Sequence, residues 1–298
     1  MKITEKSRML LKFALVITAF ALIAGCSSTK TMTGSPEKGL NLSYRFPAGK
    51  TLVYKISTNN NQTMEMMGNT RETEYNVSTV LSMQLTEKKQ NDYIVKITID
   101  SMYASLKGPM LPASKKPDFS GVLGKSFTVV YSPEGKEKET IGADSIFFSL
   151  VPGQKQNIKG FVTHLFTSLP KEKIKLGSAW KDSTTRVIEQ GGMDITINTQ
   201  NENTLESVDK HNGYDCLKIK TTFTGTLDGS GENSGAQLTM ESDIEGESLW
   251  YFDYKAGVLV YLKTSSLSEG SIVVTGPANM TIPISGETEN IVELVEIK

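Results

Sequence analysis

Residues 42–56 read Leu-Ser-Tyr-Arg-Phe-Pro-Ala-Gly-Lys-Thr-Leu-Val-Tyr-Lys-Ile, and their period of two decides the fold class. Leu42, Tyr44 and Phe46 alternate with Ser43 and Arg45. After the turn Pro47-Ala48-Gly49-Lys50, Leu52, Tyr54 and Ile56 alternate with Val53 and Lys55. Successive side chains of a strand point to opposite faces, so this spacing predicts a hairpin with one apolar face.

The same period runs outward from this stretch. Gln62 to Met67 and Thr70 to Leu85 flank Gly68-Asn69 and predict a second hairpin, because that dipeptide tolerates positive φ. Lys88 to Asp92 turns the chain into a strand with Tyr93, Val95, Ile97 and Ile99 on one side. Gly108 to Gly124, with Pro109, Pro112 and Pro117, reads as an ordered loop at a sheet edge or open end. Ser126 to Tyr131 is extended, and Ser132-Pro133-Glu134-Gly135 has the residues of a type I turn.

Helical signals are confined to the middle of the chain. Asp144 or Ser145 is placed to cap a short helix through Leu150, stopped by Pro152-Gly153. Phe161, Leu165, Phe166 and Leu169 recur at helical spacing before Pro170. Two short helices are expected here, docking on the sheet or covering a cavity.

Beyond this joint the chain repeats its opening. Gly177-Ser178-Ala179-Trp180-Lys181 parallels residues 49–55, Gly191-Gly192 parallels the hairpin at Gly68, and Tyr214 to Ile219 parallels Tyr93 to Ile97. Trp250-Tyr251-Phe252-Asp253-Tyr254-Lys255-Ala256-Gly257 stands where residues 130–135 stood. Asp228 to Gly235 reads as a mobile hairpin tip, and Ile282-Pro283-Ile284 as an edge strand, since proline cannot donate to ladders on both sides. The expected architecture is mainly β: a curved antiparallel sheet or open half-barrel built from two similar β regions, 40–141 and 174–298, joined by a helical connection at 142–173. One continuous domain over 40–298 is the alternative.

The N-terminus carries a different signal. Lys2, Lys6, Arg8 and Lys12 precede the apolar run Phe13 to Ile23, which ends in Leu22-Ile23-Ala24-Gly25-Cys26. A basic segment, a short apolar core and small residues at the cut define a secretory signal rather than a membrane span. With a cysteine at the cut, this stretch resembles the lipobox of bacterial lipoproteins. That resemblance implies cleavage of residues 1–25 and lipidation of Cys26 through its thiol and new amino terminus. Residues 26–39, polar and without periodicity, then form a flexible tether. Ser27 beside the cysteine, with no acidic run after it, points by resemblance to the periplasmic face of the outer membrane, with the cell surface as the alternative.

Composition narrows the partners. The chain holds 32 basic and 33 acidic residues; without residues 1–25 it holds 28 and 32, a net charge of about −4. Such a chain has no electrostatic case for nucleic acid. With Cys26 lipidated, Cys216 stands alone and no intramolecular disulfide is possible. The two histidines, His164 and His211, cannot build an ordinary zinc site with it. There is no G-x-S-x-G elbow, and Ser168-Leu169-Pro170-Lys171 has the letters of S-x-x-K with a proline where the helix must continue. No catalytic, metal or cofactor residue is therefore assigned; only a spatial pair of carboxylates keeps a glycan-directed hydrolase open. Met64, Met66, Met67, Met83, Met102, Met110, Met193, Met240 and Met280 supply adaptable apolar surface, and Trp250 to Tyr254 places aromatics on both faces of a strand.

Taken together, the lipobox, Tyr44-Arg45-Phe46-Pro47-Ala48-Gly49 with Tyr54, Tyr131-Ser132-Pro133-Glu134-Gly135 and Gly177-Ser178-Ala179-Trp180 resemble an uncharacterised family of Bacteroidota lipoproteins, a domain of unknown function without assigned activity. A weaker resemblance, on β pattern and covering helices alone, is to half-barrel lipoprotein carriers of the LolA type. It implies a curved sheet around an apolar cavity and transfers no ligand residue. The expected function is non-catalytic binding of a hydrophobic ligand or lipid by a protein held to a membrane through Cys26. The alternative is a structural or accessory protein that binds another envelope protein.

Overall fold

The computed structural model describes residues 34–298, except 109–115, 152–154, 163–164, 191, 234 and 277–278. Cys26 and the signal segment, His164 and Met110 lie outside the described residues. In chain order the strands are β1 (Gly34–Ser35), β2 (Gly39–Leu40), β3 (Thr51–Met66), β4 (Asn69–Lys89), β5 (Asp92–Lys107), β6 (Ser126–Tyr131), β7 (Glu137–Ile141), β8 (Phe147–Phe148) and β9 (Gln156–Asn157). A single helical turn, α1 (Lys159–Val162), follows. Then come β10 (Ala179–Gln190), β11 (Met193–His211), β12 (Tyr214–Asn233), β13 (Ala236–Asp253), β14 (Val258–Thr275) and β15 (Met280–Ile297).

The long strands form one open antiparallel sheet of 11 strands, in the order β10-β11-β12-β13-β14-β15-β3-β4-β5-β6-β7. Two meanders, β3 to β7 and β10 to β14, run in the same sense, and β15 joins them by pairing with both β14 and β3. Tight turns set the register. At Met67-Gly68 and at Asn212-Gly213 both residues have positive φ, the mirror-image turn whose twist matches the flanking strands.

Register also sorts side chains onto two faces. One, called the inner face, carries Tyr54, Leu81, Ile99, Leu262, Trp250 and Ile219, all buried. The chain covers its lower part, near the β3 N-terminus, with residues 40–47, 158–162 and 165–176. Phe166 packs its ring 4.8 Å from Tyr44, 5.2 Å from Tyr131, 5.8 Å from Tyr54 and 5.9 Å from Phe46. Burying an aromatic side chain there stabilises the fold by about 2–3 kcal/mol. Polar ends are mostly satisfied: the Tyr44 hydroxyl donates to Thr167 O at 2.9 Å and that of Tyr54 to Leu259 O at 2.9 Å.

Several expectations are corrected. The first expected hairpin does not form. Leu42, Tyr44 and Phe46 are buried on alternate positions, but the Tyr44 amide donates to Pro133 O and that of Arg45 to Gly257 O, so the segment crosses the strand ends. The helix over 144–150 is absent: Phe147 and Phe148 pair with Asn157 and Gln156, and the Asn157 side chain donates to the Ala143 and Asp144 carbonyls that helical bonds would need. The second expected helix shrinks to α1; Leu165, Phe166 and Leu169 are buried without helical backbone, their spacing used for contacts from an irregular segment. Among the described residues of the connection at 142–173, only α1 is helical.

The expected tether is docked from Gly34 onward. There β1 pairs with β2, and Leu40 exchanges backbone hydrogen bonds with Ile174. Asp228 to Asn233 is strand rather than mobile tip. Pro283 lies within the central strand β15, just beyond Ile284, the last residue of that strand paired with β3, so it faces a ladder on one side only.

Candidate functional site

Above the covered core the sheet continues as strands alone, and its two faces differ in chemistry. A cross-strand row of the inner face runs Trp180, Asn203, Thr221, Ser248, Thr264, Asn290, Thr58, Val77, Ala104. Part of it is a buried polar chain. Trp250 Nε1 donates to Thr221 Oγ1 at 3.1 Å, Thr221 Oγ1 to Asn203 Oδ1 at 2.6 Å, and Asn203 Nδ2 to Asp182 Oδ2 at 3.0 Å. Asn201 Nδ2 donates to the other oxygen of Asp182 at 2.6 Å. Fully paired, such a network fixes side chains in one arrangement.

Further up, the inner face turns apolar. Met193, Ile195, Ile197 and Met240 are buried together, with Ile188, Leu227, Leu238, Ile272 and Ile284 half-buried around them. Glycines let the strands close over this cluster. A Cβ on Gly225 would stand 1.8 Å from Asn198 O, one on Gly246 2.6 Å from the Phe223 ring, and one on Gly231 2.1 Å from Gly192 O. Glycine inside a strand marks such close backbone approach. Along the upper rows the only charged inner-face residues of β10 to β15, β3, β4 and β5 are Asp182, Arg186 and Arg71. In these upper rows the acids of the strands otherwise project from the opposite face.

That outer face holds a groove of about 620 Å³ across β12, β13, β14, β15 and β3. Thr222, Thr224, Glu245, Glu247, Ser265, Leu267, Glu287, Glu289, Asn59 and Asn61 line it. Lys220 reaches Glu247 at 2.9 Å and Lys263 reaches Glu289 at 2.6 Å, which raises both lysine pKa values. Open to water and screened by salt, such pairs orient side chains and add little to stability. A second hollow of about 460 Å³ continues past Asn61 to Glu72, Glu74 and Lys107. Strands that cross a bilayer present an apolar band to lipid; this face is threonine, asparagine and glutamate, suited to water.

The titratable groups offer little chemistry. Among the described residues every carboxylate whose pKa moves, Glu37, Glu74, Asp118 and Asp215, moves down, chiefly through hydrogen bonds from Ser35, Asn76, Ser120 and Lys255 respectively. A general acid needs the opposite shift. Among the described residues no three of His, Cys, Asp and Glu converge to hold a metal ion. His211 stacks on Tyr251 at 4.1 Å, beside Tyr261 at 4.9 Å, at the lower end of the outer face. Cys216 is buried, and burial, followed by Asp253 and Asp215, pushes its pKa up to about 12. The methionines divide: Met83, Met102, Met193 and Met240 are buried, while Met67 is exposed at a hairpin tip. Sequence reading missed the apolar cluster around Ile195 and Ile197, and the strand-interior glycines were the available signal for the face it lies on.

No family model matches this chain, and no curated protein matches it. Among solved structures it is similar to Pseudomonas aeruginosa OccK7 (OpdD), at 6% identity and a TM-score of 0.20 over 82% of this chain and 99% of that one. It is likewise similar to a mutant of Rh. blastica porin, at 9% identity and a TM-score of 0.20 over 80% and 99%. At that TM-score neither likeness carries an argument.

Proposed function

We propose that this chain is a non-catalytic binding protein of the bacterial envelope, anchored by lipid at Cys26 to the periplasmic face of the outer membrane, that holds a hydrophobic ligand against the upper inner face of an open half-barrel. The observation that supports this reading most is the sorting of charge: in their upper rows β11 to β15, β3, β4 and β5 place their acids outward and leave an inner surface dominated by isoleucine, leucine, methionine, glycine and small polar residues. Concave, mostly apolar surfaces with few polar groups are where small ligands bind. Half-buried Leu227, Leu238, Ile272 and Ile284 are the contact surface, and the polar chain around Asn203 forms its floor.

A second reading rests on the outer groove, whose mixed lining of glutamate, threonine and asparagine with Phe223 and Leu267 suits an envelope protein partner. One pair of variants separates the two. Leu227→Asp puts a carboxylate into the inner face, and Glu245→Gln alters only the groove. Binding of the fluorescent probe N-phenylnaphthylamine to the purified full chain should fall at least about tenfold in the first, since burying an unpaired charge is costly, and stay unchanged in the second. Equal binding in both variants contradicts the inner-face reading.

A further inference from the structure

The open sheet has two terminal strands, and they are unlike. β7 is an edge of five residues, whereas β10 is one of twelve. Among the described residues the backbone of 179–187 hydrogen-bonds only to β11. α1 stands at the upper end of β10, where a Cβ on Gly160 would lie 3.8 Å from Ile188 Cα, so the edge is open below that point. Lys181, Ser183, Thr185, Arg186 and Val187 are exposed along it. A row of free N–H and C=O groups of this length is a template for another strand.

The charges of β10 decide which strand fits. Its inner face carries two, Asp182 and Arg186, four residues apart. Inward-pointing charges on an edge keep out strands that cannot match them. Arg186 makes no hydrogen bond or ion pair with a described residue. Asp182 accepts from Asn201 on one oxygen and from Asn203 on the other, which leaves each oxygen a further lone pair. The strand that meets both charges is β10 itself, reversed. With Thr184 opposite Thr184 of a second copy, Asp182 of each faces Arg186 of the other, Ser183 faces Thr185, and Lys181 faces Val187. No two like charges meet, and Thr184 is the midpoint of the exposed run 181–187. Moving the register by two residues either way removes both ion pairs. Moving it by one sets the inner face of one copy beside the outer face of the other.

We infer that two copies of this chain pair through β10, antiparallel, about a two-fold axis at Thr184. A two-fold contact uses the same patch on both copies, so each complementary charge pair occurs twice. The partner's Arg186 then joins the polar chain that runs from Asp182 through Asn203 and Thr221 to Trp250, and the two inner faces form one surface. Seven ladder residues from each copy make a small contact, so the pairing is weak in dilute solution. It requires no ligand and stands apart from the inner-face reading above.

Disulfide cross-linking of the purified full chain tests it. Opposed residues of an antiparallel pair have Cα atoms about 4.5–5.5 Å apart, within disulfide reach. Thr184→Cys should therefore give a linked dimer under mild oxidation, above whatever the unaltered chain forms through its own cysteines. Val187→Cys, whose two copies would stand about 20 Å apart, should give at least about tenfold less. In the Thr184→Cys protein, Arg186→Asp turns both ion pairs into repulsions and should lower the yield about tenfold, and Asp182→Arg should do the same. Mixing these two variants sets opposite charges face to face again and should restore the yield as a mixed dimer. Equal linking of Thr184→Cys and Val187→Cys, or a yield indifferent to Arg186→Asp, overturns the pairing. A thermal melt of each variant accompanies the linking. Arg186 is exposed and unpaired within its own copy, so its reversal decides the matter even if Asp182→Arg unfolds.

Discussion

Phe166→Ala should be the most damaging single truncation in the covered half of the sheet. The ring is 8% exposed and lies within 6 Å, centre to centre, of Tyr44, Phe46, Tyr54 and Tyr131. Losing it forfeits about 2–3 kcal/mol of transfer free energy. The four rings come from residues 44–46, β3 and β6, and Tyr44 and Tyr54 are also tied by their hydroxyls, so they cannot all collapse into the space. The residual cavity takes the expected loss to about 3–5 kcal/mol. At about 2–4 °C per kcal/mol for a unit this large, that lowers Tm by about 10 °C. Urea unfolding followed by tryptophan fluorescence reads it directly. Phe166 also fastens the connection, so trypsin should cut at Lys171, Lys173 and Lys175 faster in the variant. Phe147→Ala, at an exposed ring, serves as control and should change stability by less than about 0.5 kcal/mol. A loss below about 1 kcal/mol for Phe166→Ala, with the connection still protected, would refute this account of what holds the cover.

Further outcomes follow from other residues. Gly225→Ala forces a Cβ into Asn198 O and should cost about 1–3 kcal/mol or more, read by urea unfolding; an unchanged midpoint would mean the strands do not close there. Cys216, with its pKa at about 12, has a thiolate fraction of about one in ten thousand at pH 8, so Ellman's reagent should react only after urea is added. Burial lowers the His211 pKa while Glu293 opposes it, so the folded protein binds this proton less readily than the unfolded chain. Stability should therefore fall as pH drops from 7 towards 5, and His211→Phe, which keeps the stack on Tyr251, should flatten that fall. Cys26→Ser should abolish palmitate labelling with the fold intact by circular dichroism; persistent labelling would rule out this anchor.

The strands were legible because alternation and turn glycines are local. Residues 93–99, the strand Ser126 to Tyr131 and the turn at Gly135 stand where their sequence predicts. What spacing cannot carry is which strand pairs with which: nothing in Ile291 to Ile297 announces that it pairs with residues 52–57. Leu42 to Phe46 shows the same limit, since burial on alternate positions is shared by a paired strand and by an extended segment lying across strand ends. The helical spacing at Phe161 to Leu169 misled because tertiary partners took the backbone, as when Tyr44 OH claims the Thr167 carbonyl. Of the candidate site, the methionines and the glycines of Asp228 to Gly235 were visible, but Ile195 and Ile197 look like any strand isoleucines until register sets them beside Leu227 and Met240.

The most direct test of the inner-face reading is native mass spectrometry of the lipidated protein purified from its own envelope, with the bound material extracted and identified. The account predicts about one non-covalent acyl-chain ligand per chain that survives gel filtration and is absent from Leu227→Asp. A clean mass carrying only the covalent lipid, in protein whose fold is intact, would contradict it.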